Sequence, residues 1–277
     1  MKKLFLNSII ITSSFFYPEG PMIQDNELSL TQYSKNNILK IESKSKVPKV
    51  FWADDKCGPA SQIKINKSGQ ILVSCYDKNE LVLIDSRGKT LKRFNHPKMI
   101  GPNDFALIDE KTVLVTASGI FDPKAPISGR IFSLKNGQFE ILAENIHYPN
   151  GLAHIPEYKK VIVSEHLANR LISFDFDGNK LTNKKIFYEL PRTSNDLYLG
   201  PDGLKKRFSK NSLLLAHYGG GQILEVDFTG NLIRKYPLQD KYPTNLALQN
   251  DKEMFVTIMK DAVNPPFSGR IDVIKLD

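Results

Sequence analysis

Apolar residues in this chain come in short runs, some alternating with polar residues and some continuous, and turn-forming triplets separate them at close intervals. Lys67-Ser68-Gly69, Asp177-Gly178-Asn179 and Thr229-Gly230-Asn231 are three of these punctuation points. No segment sustains the 3.6-residue apolar period of an amphipathic helix between recognisable caps. The pattern predicts short β-strands joined by tight turns along the whole chain, hence an all-β fold.

The strands fall into a repeat. Proline, a variable residue and a small or polar residue recur as Pro18-Glu19-Gly20, Pro59-Ala60-Ser61, Pro102-Asn103-Asp104, Pro149-Asn150-Gly151, Pro201-Asp202-Gly203 and Pro243-Thr244-Asn245. Their middle residues are spaced by 41, 43, 47, 52 and 42 positions. A small residue after a short apolar run keeps the same period at Thr31, Ser74, Thr116, Ser164, Ala216 and Thr257. So does a pair of apolar residues three apart: Ile38/Ile41, Leu81/Ile84, Ile131/Leu134, Leu171/Phe174, Ile223/Val226 and Ile271/Ile274. Residues three apart on a strand face opposite sides, so both faces of that strand are expected to be buried between neighbouring sheets. Six such units of about four strands, arranged radially, predict a six-bladed β-propeller with four-stranded blades, a single domain over residues 1–277. The last unit has room for about three strands. An N-terminal strand is therefore expected to complete the last blade and close the ring, and Lys3 to Ile11 is the segment on offer.

Composition narrows the partners. With 41% hydrophobic and 10% aromatic residues the chain is globular in character. Its 38 Lys and Arg against 30 Asp and Glu give a net charge of +8, but the basic residues are scattered and the longest cluster is Lys205-Lys206-Arg207. Without a basic helix or an RNA-binding aromatic motif, nucleic acid is not an expected partner. No run approaches the roughly 18 apolar residues of a membrane span. Met1-Lys2-Lys3 followed by Leu4 to Ile11 superficially resembles a secretion signal, yet Asn7 and Ser8 interrupt it and no small-residue cleavage site follows, so it reads as a strand. Cys57 and Cys75 show neither CxxC spacing nor a disulfide-rich pattern. On adjacent antiparallel strands of the second blade a disulfide between them is geometrically conceivable, but both are expected to be reduced, Cys75 packed as a small hydrophobe, in a cytoplasmic protein that is a monomer or weak dimer.

The repeat also gathers chemistry. In an up-and-down blade, the loop entering the first strand and the loop between the second and third emerge at the same end. Glu19, Asn103, Asn150 and Asp202, all in the position after the repeating proline, should thus converge on one mouth of the central channel. Asn or Asp before Gly ordinarily makes a turn, but turn-making alone does not explain two carboxylates and two amides at equivalent places. Carboxylates confined together repel unless a cation neutralises them. An all-oxygen set suits one hard divalent cation, Ca²⁺ first, with Mg²⁺, Mn²⁺ and Zn²⁺ as alternatives.

His217 ends a predicted second strand in the register of Gln32, Cys75, Ala117, Glu165 and Ile258, and is expected to face the same mouth; the other reading is a histidine supporting the Gly219-Gly220-Gly221 turn. His147, His154 and His166 share no metal spacing and read as structural or exposed. The loops Gly119 to Ser128 and Lys260 to Ser268 both lead into Ser-Gly-Arg-Ile and carry Phe121, Pro126, Pro265, Pro266 and Phe267. A stiff apolar lid beside the mouth is the expectation.

Across nearly its whole length the chain resembles the SMP-30/gluconolactonase/regucalcin-like six-bladed propellers. The resemblance is carried by Pro18-Glu19-Gly20-Pro21, Pro149-Asn150-Gly151-Leu152-Ala153, Ala168 to Asp175, Pro201-Asp202-Gly203 and Ala216-His217-Tyr218-Gly219-Gly220-Gly221. It implies Glu19, Asn150 and Asp202 as metal ligands and Asn103 as a substrate contact. One departure stands out: members acting on sugar lactones often carry an Arg two residues before that Asn, where this chain has Gly101.

The expected activity is hydrolysis of a small lactone or related ester by metal-activated water. Asp202 and His217 are the expected catalytic residues, with Asp104 and Glu165 as alternative bases, and Asn103, Asp104 and His217 as substrate contacts. A propeller does not by itself imply an enzyme, so a non-catalytic ligand- or protein-binding propeller is the competing class. An aryl esterase or phosphotriesterase is the alternative among enzymes.

Overall fold

Six four-stranded antiparallel sheets follow one another around a ring in the computed structural model, which describes residues 15–42 and 47–276. The first strand of each sheet starts at the repeating proline or a residue beside it: Pro18–Gln24, Pro59–Lys64, Pro102–Asp109, Pro149–Ile155, Gly200–Arg207 and Tyr242–Asn250. Each of these strands contacts the corresponding strand of both neighbouring blades, and the last contacts the first, so together they wall a central channel. The predicted six-bladed propeller with four-stranded blades is the observed fold.

Apolar residues on both faces of the middle strands make this arrangement. Ile38, Leu81, Ile131, Leu171 and Ile223 in the third strands are fully buried. The core lies between blades: Ala153, Ile155 and Ile162 of the fourth blade pack with Leu204, Leu213, Leu215 and Leu224 of the fifth. Each such leucine or isoleucine contributes about 1.5–3 kcal/mol on burial, and equivalent clusters join the other blade pairs.

The ring is closed by a strand from the N-terminal side, Phe15–Phe16, which pairs with Gly269 and Ser268 at the outer edge of the last blade. Phe15 is fully buried among Leu28, Leu30, Leu39, Ile41 and Ile271. The segment expected for this role, Lys3 to Ile11, lies outside the described residues. A second tie is polar, Thr244 Oγ1 donating to the Pro18 carbonyl at 2.8 Å across the seam.

Two features of the inner strands bear on the channel. Register with the second strand shifts just after the repeating proline in every blade, between Glu19 and Met22, Pro59 and Ser61, Pro102 and Phe105, Pro149 and Leu152, Pro201 and Leu204, and Pro243 and Asn245. Such bulges break the strict alternation of a strand and re-aim one side chain. The small-residue column then fixes the bulge of the next blade. Thr31 Oγ1 donates to the Ala60 carbonyl at 3.4 Å, Ser74 Oγ to Asn103 at 2.6 Å and Thr116 Oγ1 to Asn150 at 2.8 Å.

The cysteines differ from expectation. Cys57 and Cys75 form a disulfide with Cα atoms 4.5 Å apart, both fully buried. Cys75 lies opposite Pro59 in the ladder, which puts Cys57 beside it although 18 positions separate the two in sequence. The premise of two reduced cysteines therefore fails, and with it the cysteine argument for a cytoplasmic location. Among the described residues no helix is long and apolar enough to cross a membrane.

Candidate functional site

The bulges deliver Glu19, Ala60, Asn103, Asn150 and Asp202 to the floor of a cavity of about 240 Å³ at one end of the channel. Five of the six residues in the repeating position thus meet there, each from a different blade. Above them the walls are aromatic: Tyr17, Tyr33, Tyr76, Tyr148, Tyr218 and His166, with Phe121 and Phe267 from the two long loops.

The floor is electrostatically uncompensated. Burial raises the Glu19 carboxyl well above its ordinary range, and repulsion from Asp202 and Asp104 adds to it; the Gly20 N–H and Lys205 pull the other way. Asp202 is likewise raised, first by burial and then by Asp104, with the neighbouring Asn150 amide and Lys205 opposing. Asp202 Oδ1 is buried and has no hydrogen-bond partner. Lys205 is the nearest built-in cation, but its Nζ is already held 2.9 Å from Asp104 Oδ2.

Metal fit can be judged from these donors. Among the described residues no three His, Cys, Asp or Glu side chains converge as a cage of their own. What the floor offers is two carboxylates, the amides of Asn103 and Asn150, and an orphaned carboxylate oxygen. Desolvated oxygen donors that lack a counter-charge are the environment of a hard divalent cation with positions left for other ligands, so the residues fit the group.

The other expected site residues fall elsewhere. Asp104 is buried behind the floor, where its Oδ1 accepts from Ser61 Oγ at 2.7 Å and from the Phe105 N–H at 2.9 Å. It lines a separate cavity of about 340 Å³ with Lys205 and Gln62. His217 is fully buried and is not among the residues lining the 240 Å³ cavity. Its Nδ1 accepts from Gln222 Nε2 at 3.2 Å, and a Cβ at Gly220 would stand 2.2 Å from that nitrogen, so the ring packs beneath the glycine turn. Glu165 is tied up by Arg170 Nε at 2.6 Å, Lys184 Nζ at 3.3 Å and the His147 N–H at 3.1 Å.

The column that does reach the mouth is the next one along. Tyr33, Tyr76, His166 and Tyr218 each follow by one residue the column of Gln32, Cys75, Glu165 and His217. Tyr218 ends its strand, while Tyr33 and His166 open short 3-10 turns and Tyr76 a turn just past its strand. His166, read from sequence as structural or exposed, is buried in the cavity wall and donates from Nε2 to the Tyr198 carbonyl, 3.0 Å away. Burial pushes its pKa down to about 4, so the ring is neutral near neutral pH, and Nδ1 has no partner. A carbonyl opposite Nε2 requires the proton there, which leaves Nδ1 as an acceptor.

Glycines make room for the aromatic wall. Gly101, with φ of +60°, lies so close to Tyr76 that a Cβ would stand 2.7 Å from its ring, and a Cβ on Gly58 would stand 2.9 Å from Tyr33. Gly101 precedes Pro102, and the space a longer side chain would take there is filled by the Tyr76 ring. Three tyrosine hydroxyls are spent internally. Tyr33 donates to Asp77 Oδ1 at 2.7 Å, Tyr76 to the Gly119 carbonyl at 2.8 Å and Tyr148 to the Tyr76 hydroxyl at 3.1 Å. Phe121 docks into this wall, its ring 4.7 Å from Tyr148, 4.9 Å from Tyr198 and 5.3 Å from His166. Phe267 stands 5.7 Å from Tyr17.

Known proteins share this architecture. The luciferin-regenerating enzyme superposes with a TM-score of 0.79 at 19% identity, over 95% of this chain and 92% of that one. A calcium-binding protein, regucalcin, from Agrobacterium tumefaciens gives 0.78 at 17% identity, over 95% and 92%. A gluconolactonase from Xanthomonas campestris gives 0.73 at 16% identity, over 94% and 87%. At these identities the likeness speaks for the fold. No curated protein matches the chain in sequence. The family model described as SMP-30/Gluconolactonase/LRE-like region matches residues 17–260. That match takes in all six of the repeating prolines and every floor residue, and the chain belongs to the SMP-30/gluconolactonase/LRE-like family.

Proposed function

We propose that this protein is a divalent-metal-dependent hydrolase of a small lactone or related ester, with Ca²⁺ as the leading metal. The observation that carries the reading is the pair of buried carboxylates, Glu19 and Asp202, lining one cavity, with the Asp202 Oδ1 unpartnered. The names of two similar structures, a gluconolactonase and a calcium-binding regucalcin, support it.

Glu19, Asn150 and Asp202 would hold the ion, with Asn103 beside them. When bound, such an ion supplies positive charge for a developing oxyanion and acidifies water. The chain's own part is to present these oxygens without water around them and to position the substrate. Asn103 offers an amide donor to the acyl oxygen. In hydrolysis, water adds to the acyl carbon, the ester C–O bond breaks, and the departing oxygen takes up the proton that water gives up. Asp202 is assigned to accept that proton in passing, with neutral His166 of the cavity wall as a second group for the transfer. Phe121 and Phe267 close the walls and keep bulk water from the reacting bond.

The test is turnover of a panel of aldonolactones, aliphatic lactones, aryl lactones and aryl esters by metal-stripped protein re-supplied separately with Ca²⁺, Mg²⁺, Mn²⁺ and Zn²⁺. Metal-dependent hydrolysis that falls by a factor of roughly 100 or more in Glu19→Gln and in Asp202→Asn is expected. Metal binding without turnover of any panel member would favour the binding propeller instead.

A further inference from the structure

The cavity walls bear on which lactone or ester is accepted, a question that rests on the hydrolytic reading above. No lysine or arginine lines the cavity among the described residues. Lys205, the closest cation to the floor, is held by Asp104 on the far side. A substrate whose carboxylate, phosphate or sulfate lies against the walls, away from the floor that would hold the metal, meets no side-chain counter-charge there. A polyol fares little better. The hydroxyls of Tyr33, Tyr76 and Tyr148 are committed to Asp77, Gly119 and each other, so these tyrosines turn ring surface to the ligand. A sugar hydroxyl placed against these three rings loses its water partners and meets no uncommitted phenol donor.

Size and entry point the same way. The cavity's volume of about 240 Å³ equals some eight waters at about 30 Å³ each, room for one or two rings and no more. The loops that carry Phe121, Tyr198 and Phe267 also expose Ile120 (61%), Leu197 (64%) and Val263 (77%). Apolar side chains left in water around a cavity mouth mark the approach of an apolar ligand. We infer that the site selects small, uncharged aryl lactones or aryl esters, and that Phe121, packed at a tilt against Tyr148 and Tyr198, is a specificity-determining residue.

Binding separates this inference from catalysis. The probes are the lactam analogues of dihydrocoumarin and of gluconolactone, titrated calorimetrically into calcium-loaded full-length protein, wild type, Phe121→Ala and Phe121→Tyr. The aryl lactam is expected to bind at least roughly tenfold more tightly than the sugar lactam, to lose roughly tenfold in Phe121→Ala and to be retained in Phe121→Tyr. Failure of the aryl lactam to bind, a sugar lactam that binds as tightly, or an unchanged affinity in Phe121→Ala overturns the inference. Turnover assays run in parallel tell the two readings apart. Aryl-lactam binding without hydrolysis of any lactone or ester of the panel would end the hydrolase reading and leave the aromatic pocket standing; hydrolysis confined to sugar lactones would do the reverse.

Discussion

Glu19 and Asp202 hold their protons in the fold more tightly than in the unfolded chain, because burial and mutual repulsion disfavour two bare carboxylates. Their contribution to the stability of metal-free protein is therefore full below the unfolded carboxylate value of about 4 and is lost as pH rises through their raised folded values. Other carboxylates, such as Asp227, whose hydrogen bonds hold it down to about 2, follow the opposite course. The difference between wild type and Asp202→Asn isolates the floor. In EDTA at about pH 7, Asp202→Asn is expected to melt several degrees above wild type, and the gap should close as the pH falls toward 4; an equal or lower melting temperature at neutral pH contradicts the uncompensated floor. Glu19, Asn103, Asn150 and Asp202 were legible in the sequence because each follows a repeating proline. The aromatic wall was not. Second strands are buried on both faces between blades, so apolarity does not distinguish the His217 column from the neighbouring Tyr33, Tyr76, His166 and Tyr218, three of which stand in turns just past the strand ends.

In three blades, the hydroxyl near the end of the second strand, that of Thr31, Ser74 or Thr116, reaches across to the next blade's bulge. Thr116 Oγ1 accepts from the Asp104 N–H at 3.0 Å and donates to the Asn150 carbonyl at 2.8 Å. Thr116→Val keeps the shape and leaves both groups buried without a partner. A loss of about 1–3 kcal/mol is expected in denaturant unfolding, together with weaker metal binding because Asn150 is no longer pinned; a variant as stable as wild type would show that the column has no such role. As a small-residue column this feature was visible in sequence, but its use as a cross-blade clamp depends on strand pairing. The disulfide was conceivable but unsupported in sequence for the same reason. Only the register that sets Cys75 opposite Pro59 makes an 18-residue separation a contact.

At the scale of the whole molecule, six blades of like geometry make a ring only if the last is completed. Period and strand count announced the propeller and its N-terminal closure, while the short pairing of Phe15 and Phe16 with Gly269 and Ser268 is too brief to carry an apolar signal of its own. Phe15 should matter out of proportion to that length, being fully buried at the seam. Phe15→Ala is expected to cost about 3–5 kcal/mol in denaturant unfolding; a cost under about 1 kcal/mol would mean that the seam is held by other contacts. The ring exists to bring side chains from five blades onto one floor, and that floor is what the proposed chemistry depends on. Calorimetric titration of metal-stripped protein with Ca²⁺, for wild type, Glu19→Gln and Asp202→Asn, addresses it most directly. One site per chain in the wild type, weakened roughly tenfold or more in each variant, is the expected result; no binding of Ca²⁺ or of the alternative divalent ions, or an affinity that neither substitution changes, would contradict a metal centre on Glu19 and Asp202.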